Sequence, residues 1–190
     1  MAAAYWKSFL KSVDVTGRLV PRSQDDLEAF ERELNFRLPP SYKDFCTVLG
    51  PGELGEWFNI AAPGFRGERG SQYDLATVGS HHRAGRDWRE YSPNPQQFER
   101  AIIFATDQSG NLYFWDPAVP SEVAGEYAIF VNERDWTLKR ICERFDTFVD
   151  ICLKRRATKV LYEDDSPQTF TAAKESRPKM NRKASPKKRK

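Results

Sequence analysis

The stretch AIIFATDQSGNLYFWD, residues 101–116, carries the clearest structural pattern in the chain. Two apolar runs rich in β-branched and aromatic residues flank the turn Asp107-Gln108-Ser109-Gly110, where glycine suits a left-handed backbone position. The pattern predicts an antiparallel hairpin. A third apolar run at 127–132 and a strand-like stretch at 136–142 follow, so we expect a central antiparallel sheet.

Helices are predicted on both sides of this sheet. Apolar residues recur at helical spacing in three segments, which are 24–35, 39–49 and 143–156. Ser23 and Asp26 have the spacing of a capping box at the start of the first segment. Gly50 suits a left-handed position at the end of the second. Helices, then antiparallel strands, then a final helix indicate an α+β fold.

The region between the second helix and the hairpin has a weaker pattern. A short strand is predicted at 56–60, and the glycines and prolines of 63–70 indicate an exposed loop. A helix is predicted over 72–91. Pro93 and Pro95 are expected to stop it, because proline cannot continue a helix.

The charge of the chain is divided unevenly. The net charge of 190 residues is +3, but residues 171–190 hold nine Lys/Arg and one acid, Glu175, while the remainder holds 21 basic and 26 acidic residues. The last twenty residues also lack aromatic side chains, so we expect a disordered basic tail. The predicted organisation is a lead-in at 1–19, a domain at 20–160, and an acidic junction with the basic tail at 161–190.

Composition excludes several classes of protein. No apolar run approaches the ~18–20 residues that a membrane-spanning helix needs. The first residues, MAAAYWKSFLKS, lack the apolar core of a secretory signal. Three scattered cysteines are too few for a disulfide framework, and they stand at Cys46, Cys142 and Cys152. We therefore expect a reduced, cytoplasmic environment and no membrane association.

Residue types that catalyse reactions or bind metals are present but poorly spaced. His81 and His82 are adjacent, and neighbours on a helix point about 100° apart, so one metal ion does not easily bind both. Asp107 and Asp116 bracket a strand and would lie on the order of 17 Å apart, farther than the ~5–10 Å of a carboxylate pair in glycoside hydrolysis. No phosphate-binding glycine loop occurs. The sequence predicts no enzyme, no metal site and no cofactor.

The assembled motifs resemble the SUKH superfamily, which includes the fungal Smi/Knr cell-wall assembly regulators and many bacterial toxin-immunity proteins. Four pieces occur in the expected order, and they are the helix start LPPSYKDF (38–45), the turn GPGELG (50–55), the hairpin IFATD…GNLY…WD (103–116) and the closing FDTFV (145–149). The residues that carry the resemblance as fold determinants are Leu38, Pro39, Tyr42, Phe45, Gly50, Gly52, Asp107, Gly110, Asp116, Phe145 and Phe148.

The resemblance implies a compact α+β domain that binds proteins and does not catalyse a reaction. In bacterial members the usual role is immunity, in which the domain binds a cognate toxin, often a nuclease or deaminase, and blocks it. If this chain is the antitoxin of a toxin–antitoxin pair, the excess of acidic side chains in residues 1–170 favours a basic partner such as a nuclease toxin. Fungal members regulate cell-wall synthesis and signalling through partners.

Two candidate contact regions follow from the residues. The first is an aromatic and basic segment that offers a protein partner Trp88, Arg83, Arg86 and Arg89, since aromatic and arginine side chains dominate interface energetics. The second is the basic tail, which as a nucleic-acid-binding arm offers Lys179, Arg182, Lys183, Lys187, Lys188, Arg189 and Lys190. The alternative function is thus a nucleic-acid-associated or regulatory adaptor that uses the tail.

Overall fold

The computed structural model describes residues 2–66, 70–84, 88–154 and 169–175. Within these ranges the helices are α1 (Ala2–Ser12), α2 (Gln24–Leu34), α3 (Pro40–Val48), α4 (Leu75–Ala84), α5 (Trp88–Tyr91), α6 (Pro95–Arg100) and α7 (Phe145–Leu153), with a 3₁₀ turn at Gly70–Tyr73. The strands are β1 (Asp14–Thr16), β2 (Gly52–Leu54), β3 (Phe58–Ile60), β4 (Ile102–Asp107), β5 (Leu112–Pro120), β6 (Tyr127–Asn132), β7 (Leu138–Cys142) and β8 (Thr169–Ala172).

The described strands form one sheet in the order β1-β8-β2-β3-β4-β5-β6-β7. Neighbouring strands are antiparallel except for the pair β1–β8, which is parallel. The predicted α+β class, with helices before and after a largely antiparallel sheet, is confirmed. None of the helices in the described ranges has the length and apolar character needed to cross a bilayer.

Helix α2, which follows β1 in the chain, begins as its sequence predicts. The Ser23 hydroxyl accepts the backbone N–H of Asp26, and the Asp26 carboxylate accepts the backbone N–H of Ser23. This reciprocal capping box satisfies two donors that a helix start leaves open. Leu27 and Phe30 then lie on the buried face of α2.

The aromatic core joins α3, α7 and the centre of the sheet. Phe45 of α3 lies 5.0 Å from Phe145 of α7 between ring centroids, and Phe104 of β4 stacks on Trp115 of β5 at 4.1 Å. The Tyr42 hydroxyl donates to the Ala61 carbonyl at 2.6 Å. These rings hold both helices on one face of the sheet.

Several predicted boundaries are wrong between residues 50 and 100. The strand predicted at 56–60 begins only at Phe58, because Glu56 has a left-handed backbone (φ 55°) in the turn from β2. The helix predicted over 72–91 is replaced by a 3₁₀ turn and the separate helices α4 and α5. Pro95, which was expected to stop a helix, starts α6, since the missing N–H of proline has no partner in a first turn.

The ends of the chain also depart from expectation. Disorder was predicted for 171–190, yet Thr171 and Ala172 belong to β8, which pairs with β1 on one side and β2 on the other. Phe170 is fully buried between them. At the other end, Trp6 of α1 is fully buried against Phe45. The core therefore takes in residues on both sides of 20–160.

Candidate protein-binding surface

Two buried carboxylates of the hairpin have structural partners. Asp107 accepts hydrogen bonds from the Asn111 backbone N–H (2.9 Å), the Asn111 side-chain amide (2.8 Å) and the Tyr113 hydroxyl (2.8 Å). Asp116 binds the Arg100 guanidinium through two contacts of 2.6 and 2.8 Å. Each carboxylate is thus neutralised or satisfied by its own neighbours, and the two do not share a ligand or proton.

A third buried carboxylate, Glu126, was not singled out from the sequence. It accepts the backbone N–H of Ser41 at 3.0 Å and the Ser41 hydroxyl at 2.7 Å, and the hydroxyl in turn accepts the backbone N–H of Phe145 at 3.1 Å. The N-terminal residue Pro39 gives α3 no side-chain cap. Glu126, which lies just before β6, therefore caps the start of α3. Through the Ser41 hydroxyl it also links the start of α3 to the start of α7.

The described cysteine thiols, which are the candidate nucleophiles, lie in packed surroundings, with Cys46 and Cys152 fully buried. Burial raises the pKa of the Cys46 and Cys142 thiols to about 12, and it raises the pKa of Cys152 as well. A raised pKa suppresses the thiolate that reacts as a nucleophile. Among the described residues, no group of three His, Cys, Asp or Glu side chains could hold a metal ion.

The glycines and apolar residues of the family-like motifs shape the backbone and the core. Gly50 has φ 77°, and a Cβ there would collide with the Val20 carbonyl. At Gly52 a Cβ would lie 2.5 Å from the Phe170 ring. Gly110 has φ 83° in the hairpin turn. The other apolar members are buried, namely Leu38, Tyr42, Phe45, Phe145 and Phe148.

Of the side chains predicted to contact a partner, the structure describes those of Arg83 and Arg89. Arg83 is half-buried, and its guanidinium donates to the Ala101 carbonyl at 3.1 Å, so it braces α4 against the sheet. Burial lowers the pKa of Arg83. Arg89 is exposed and lies 3.8 Å from Glu99. Trp88 begins α5, whereas its side chain and Arg86 lie outside the described part of the chain.

An aromatic cleft adjoins this segment. It lies between the α5–α6 connection and the β6–β7 turn, has a volume of about 600 Å³, and is lined by Tyr91, Pro93, Asn94, Asp135, Trp136, Thr137 and Leu138. Tyr91 is 57% exposed, which is high for a large aromatic residue. Its ring stacks on Trp136 with the centroids 6.4 Å apart and the planes at 27°.

Trp136, which lines this aromatic cleft, has an unusual backbone conformation. Its φ is 69°, in the left-handed region that bulky side chains avoid. Its N–H donates to the Glu133 carbonyl at 2.9 Å, and its ring meets Phe98 edge-on at 6.3 Å. This conformation was missed, because the sequence 136–142 reads as a strand while the strand itself begins at Leu138.

The basic residues predicted to bind nucleic acid, Lys179 to Lys190, lie outside the described residues. The last described residue is Glu175, whose carboxylate lies 3.5 Å from the Arg22 guanidinium. The last described part of the chain therefore ends beside Arg22.

Comparison with protein-family models matches residues 21–151 to the SMI1 / KNR4 family (SUKH-1). The matched range starts before α2 and ends within α7, so α1, β1 and β8 fall outside it. No curated protein matches the chain.

Proposed function

The chain belongs to the SMI1 / KNR4 family (SUKH-1), and on this premise we propose that it is an immunity-type protein that binds and neutralises a cognate toxin. Domains of the family are in general non-catalytic immunity or cell-wall-related domains, and they typically bind a protein partner. Toxin neutralisation by this chain goes beyond that general property. It is a hypothesis about the surface that the chain offers.

The observation that carries the proposal is the aromatic cleft of Tyr91 and Trp136. A non-glycine residue in the left-handed region costs roughly 1–2 kcal/mol, and such strain is concentrated at functional sites in proteins. Here the strained turn supports Tyr91, which remains 57% exposed. Exposed, rigidly held aromatic residues are the usual anchors of protein interfaces.

The polar residues beside the cleft suit the rim of an interface. Asp135 accepts the Thr137 backbone N–H at 2.9 Å, which lowers the pKa of its carboxyl group and keeps it ionised. Arg89 is exposed on the neighbouring helix α5. We propose that the contact surface includes the aromatic cleft and Arg89, that the predicted contacts Trp88 and Arg86 belong to the same interface, and that Arg83 supports it by bracing α4.

Affinity capture with matched variants tests this function. The full-length chain is used as bait in nuclease-treated lysate of the source organism, beside Tyr91→Ala and the control Leu34→Ala, which removes another exposed apolar side chain (42% exposed) on α2. The captured protein is then purified and expressed in growing cells. We expect it to be toxic alone and harmless with the wild-type chain.

The variants locate the surface. Truncation of an interface anchor costs about 2 kcal/mol or more, so we expect Tyr91→Ala to weaken binding by about 30-fold or more, while Leu34→Ala binds as wild type. Equal binding by all three chains would contradict the assigned surface. A captured partner that is not toxic would contradict the immunity function and favour a regulatory adaptor.

The alternative function, a nucleic-acid-associated or regulatory adaptor, rests on the charge of residues 176–190, which hold eight Lys/Arg and no acid. The test of this alternative substitutes basic residues and does not truncate the chain, because a truncation close to β8 (Thr169–Ala172) could disturb that strand. We expect an adaptor of this kind to bind duplex DNA with an affinity that falls steeply with salt. Replacement of Lys187, Lys188, Arg189 and Lys190 by glutamine should abolish most of that binding, measured by fluorescence anisotropy.

A further inference from the structure

The side chains that line the aromatic cleft combine two aromatic rings with a single charge. Tyr91 and Trp136 supply the rings, which stack with their centroids 6.4 Å apart. Of the seven residues that line the cleft, only Asp135 is charged. Because the face of an aromatic ring is electrostatically negative, the rings and the carboxylate both favour a positively charged ligand.

The Asp135 carboxylate is exposed, and the described part of the chain does not neutralise it. It accepts the Thr137 backbone N–H at 2.9 Å, which fixes its position in the turn but leaves its charge in place. No described Lys or Arg, the sequence neighbour Arg134 included, forms an ion pair with it. Lys139 pairs with Glu133 at 2.7 Å instead. The carboxylate is therefore available to a cation of another molecule.

In an inference that rests on the proposed function, we propose that the aromatic cleft binds an arginine side chain of the protein partner. Its guanidinium lies against the rings of Tyr91 and Trp136 and donates to the Asp135 carboxylate. A guanidinium is planar, stacks on aromatic rings and donates two parallel hydrogen bonds to a carboxylate, whereas a lysine ammonium is a point charge. The volume of about 600 Å³ is within the ~300–1,000 Å³ of pockets that accept small ligands, so one side chain enters.

The lining also indicates that the arginine belongs to a polypeptide. A free amino acid carries a carboxylate that needs a cationic partner, and none of the lining residues is Lys, Arg or His. Tyr91 is 57% exposed, so a side chain on the surface of a partner can reach it. The excess of acidic side chains in residues 1–170 acts in the same direction, since complementary charge speeds the encounter with a basic protein.

NMR titrations of the full-length chain with two blocked amino acids test the proposal. The probes are N-acetyl-arginine methylamide and its citrulline counterpart, which has nearly the same shape but no charge. Each probe is titrated at constant salt, and the signals followed are the Trp136 indole N–H and the amides of Tyr91, Asn94 and 134–138. We expect these signals to shift and the arginine compound to bind about 5-fold or more tightly than the citrulline compound.

Variants of the full-length chain separate the contribution of the charge from that of the ring. Asp135→Asn keeps an oxygen for the Thr137 N–H but loses the charge, so we expect the preference for arginine to fall by about 3-fold or more. Asp14→Asn, at an exposed acid of β1, is the matched control and should keep the preference. Tyr91→Phe should bind arginine as the wild type does because the ring remains, whereas Tyr91→Leu should bind it about 3-fold or more weakly.

Equal affinity for arginine and citrulline, shifts gathered on another surface, or no shifts at the highest soluble concentration of the probe would each overturn the proposal. Equally tight binding of the blocked lysine compound would overturn the assignment to arginine. Tighter binding of free arginine than of the blocked compound would also overturn it, because the ligand would then be a small molecule.

The titrations and the affinity capture fail separately. A captured partner that is not toxic would contradict the immunity function and leave the arginine site standing. A chain that loses its toxin in Tyr91→Ala but shows no preference for arginine over citrulline would contradict the arginine site alone.

Discussion

Trp136 shows how a single residue can run against its local preference. The turn from β6 to β7 requires one residue with positive φ, a position that glycine or asparagine normally occupies. Tryptophan stands there with φ 69°, and its ring stacks on Tyr91 and meets Phe98 edge-on. These ring contacts offset the strain. Stability at this position therefore combines an unfavourable backbone with favourable ring packing.

Two substitutions at residue 136 separate the backbone and packing contributions. Trp136→Ala loses the packing and keeps the strain, whereas Trp136→Gly loses the same packing and relieves the strain. We expect the glycine variant to have a free energy of unfolding about 1 kcal/mol higher than the alanine variant, measured by urea denaturation. The control variants are Asp135→Ala and Asp135→Gly, at a neighbouring residue that has no positive φ. There we expect the alanine variant to have the higher free energy of unfolding. The same order at both positions would contradict the strain.

Strand β8 is the element that extends the family domain. It lies outside the matched range of 21–151 and occupies the edge of β2, whose backbone groups would otherwise be open to another chain. Gly52 makes the pairing possible, because any larger residue would meet the Phe170 ring. Strand β8 thus covers the edge of β2 and pairs on its other side with β1, which is the outermost strand at that end of the sheet.

Substitution of Phe170 tests how much the packing of β8 against the core contributes to the free energy of unfolding. The side chain is fully buried, and its ring meets Phe45 edge-on at 6.1 Å. We expect Phe170→Ala to lower the free energy of unfolding by about 3–5 kcal/mol, as for other buried phenylalanines. Thr171→Ala, one residue further along the same strand, should change it by less than about 1 kcal/mol. A loss below 1 kcal/mol in Phe170→Ala would show that β8 is only loosely attached.

At the scale of the whole molecule, the first helix α1 and the last described strand β8 meet in one core. Phe45 of α3 contacts Trp6 from α1 at 5.2 Å and Phe170 from β8 at 6.1 Å between ring centroids. Glu126 links the start of α3 to the start of α7 through Ser41. Because these contacts cross between all parts of the fold, the described structure should unfold as one unit.

The substitution Trp6→Ala tests whether α1 unfolds together with the rest of the described structure. The substitution removes a fully buried side chain, so we expect a loss of about 3–5 kcal/mol. Far-UV circular dichroism and tryptophan fluorescence should still report one common midpoint. Lys7→Ala, at an exposed position of the same helix, should leave the midpoint nearly unchanged. Separate transitions by the two probes would mean that α1 is an independent attachment, as the predicted lead-in at 1–19 implies.

The sequence by itself determined the elements whose signals lie in neighbouring residues. The hairpin of 101–116, the strand Tyr127–Asn132 and the capping box of α2 were predicted because period, turn residues and cap spacing are local properties. The family followed for the same reason, since its motifs are short and occur in order. The residues that carry them are mostly buried, so they identify the fold rather than a contact surface.

Tertiary structure alone decided the features that join distant parts of the chain. Glu126 caps α3 through Ser41, which lies 85 residues earlier in the chain. The four residues of β8 are too few to show a pattern until β1 and β2 flank them. The aromatic cleft arises where the α5–α6 connection meets the β6–β7 turn. In each case the deciding free energy comes from contacts between residues far apart in sequence, which local propensity does not contain.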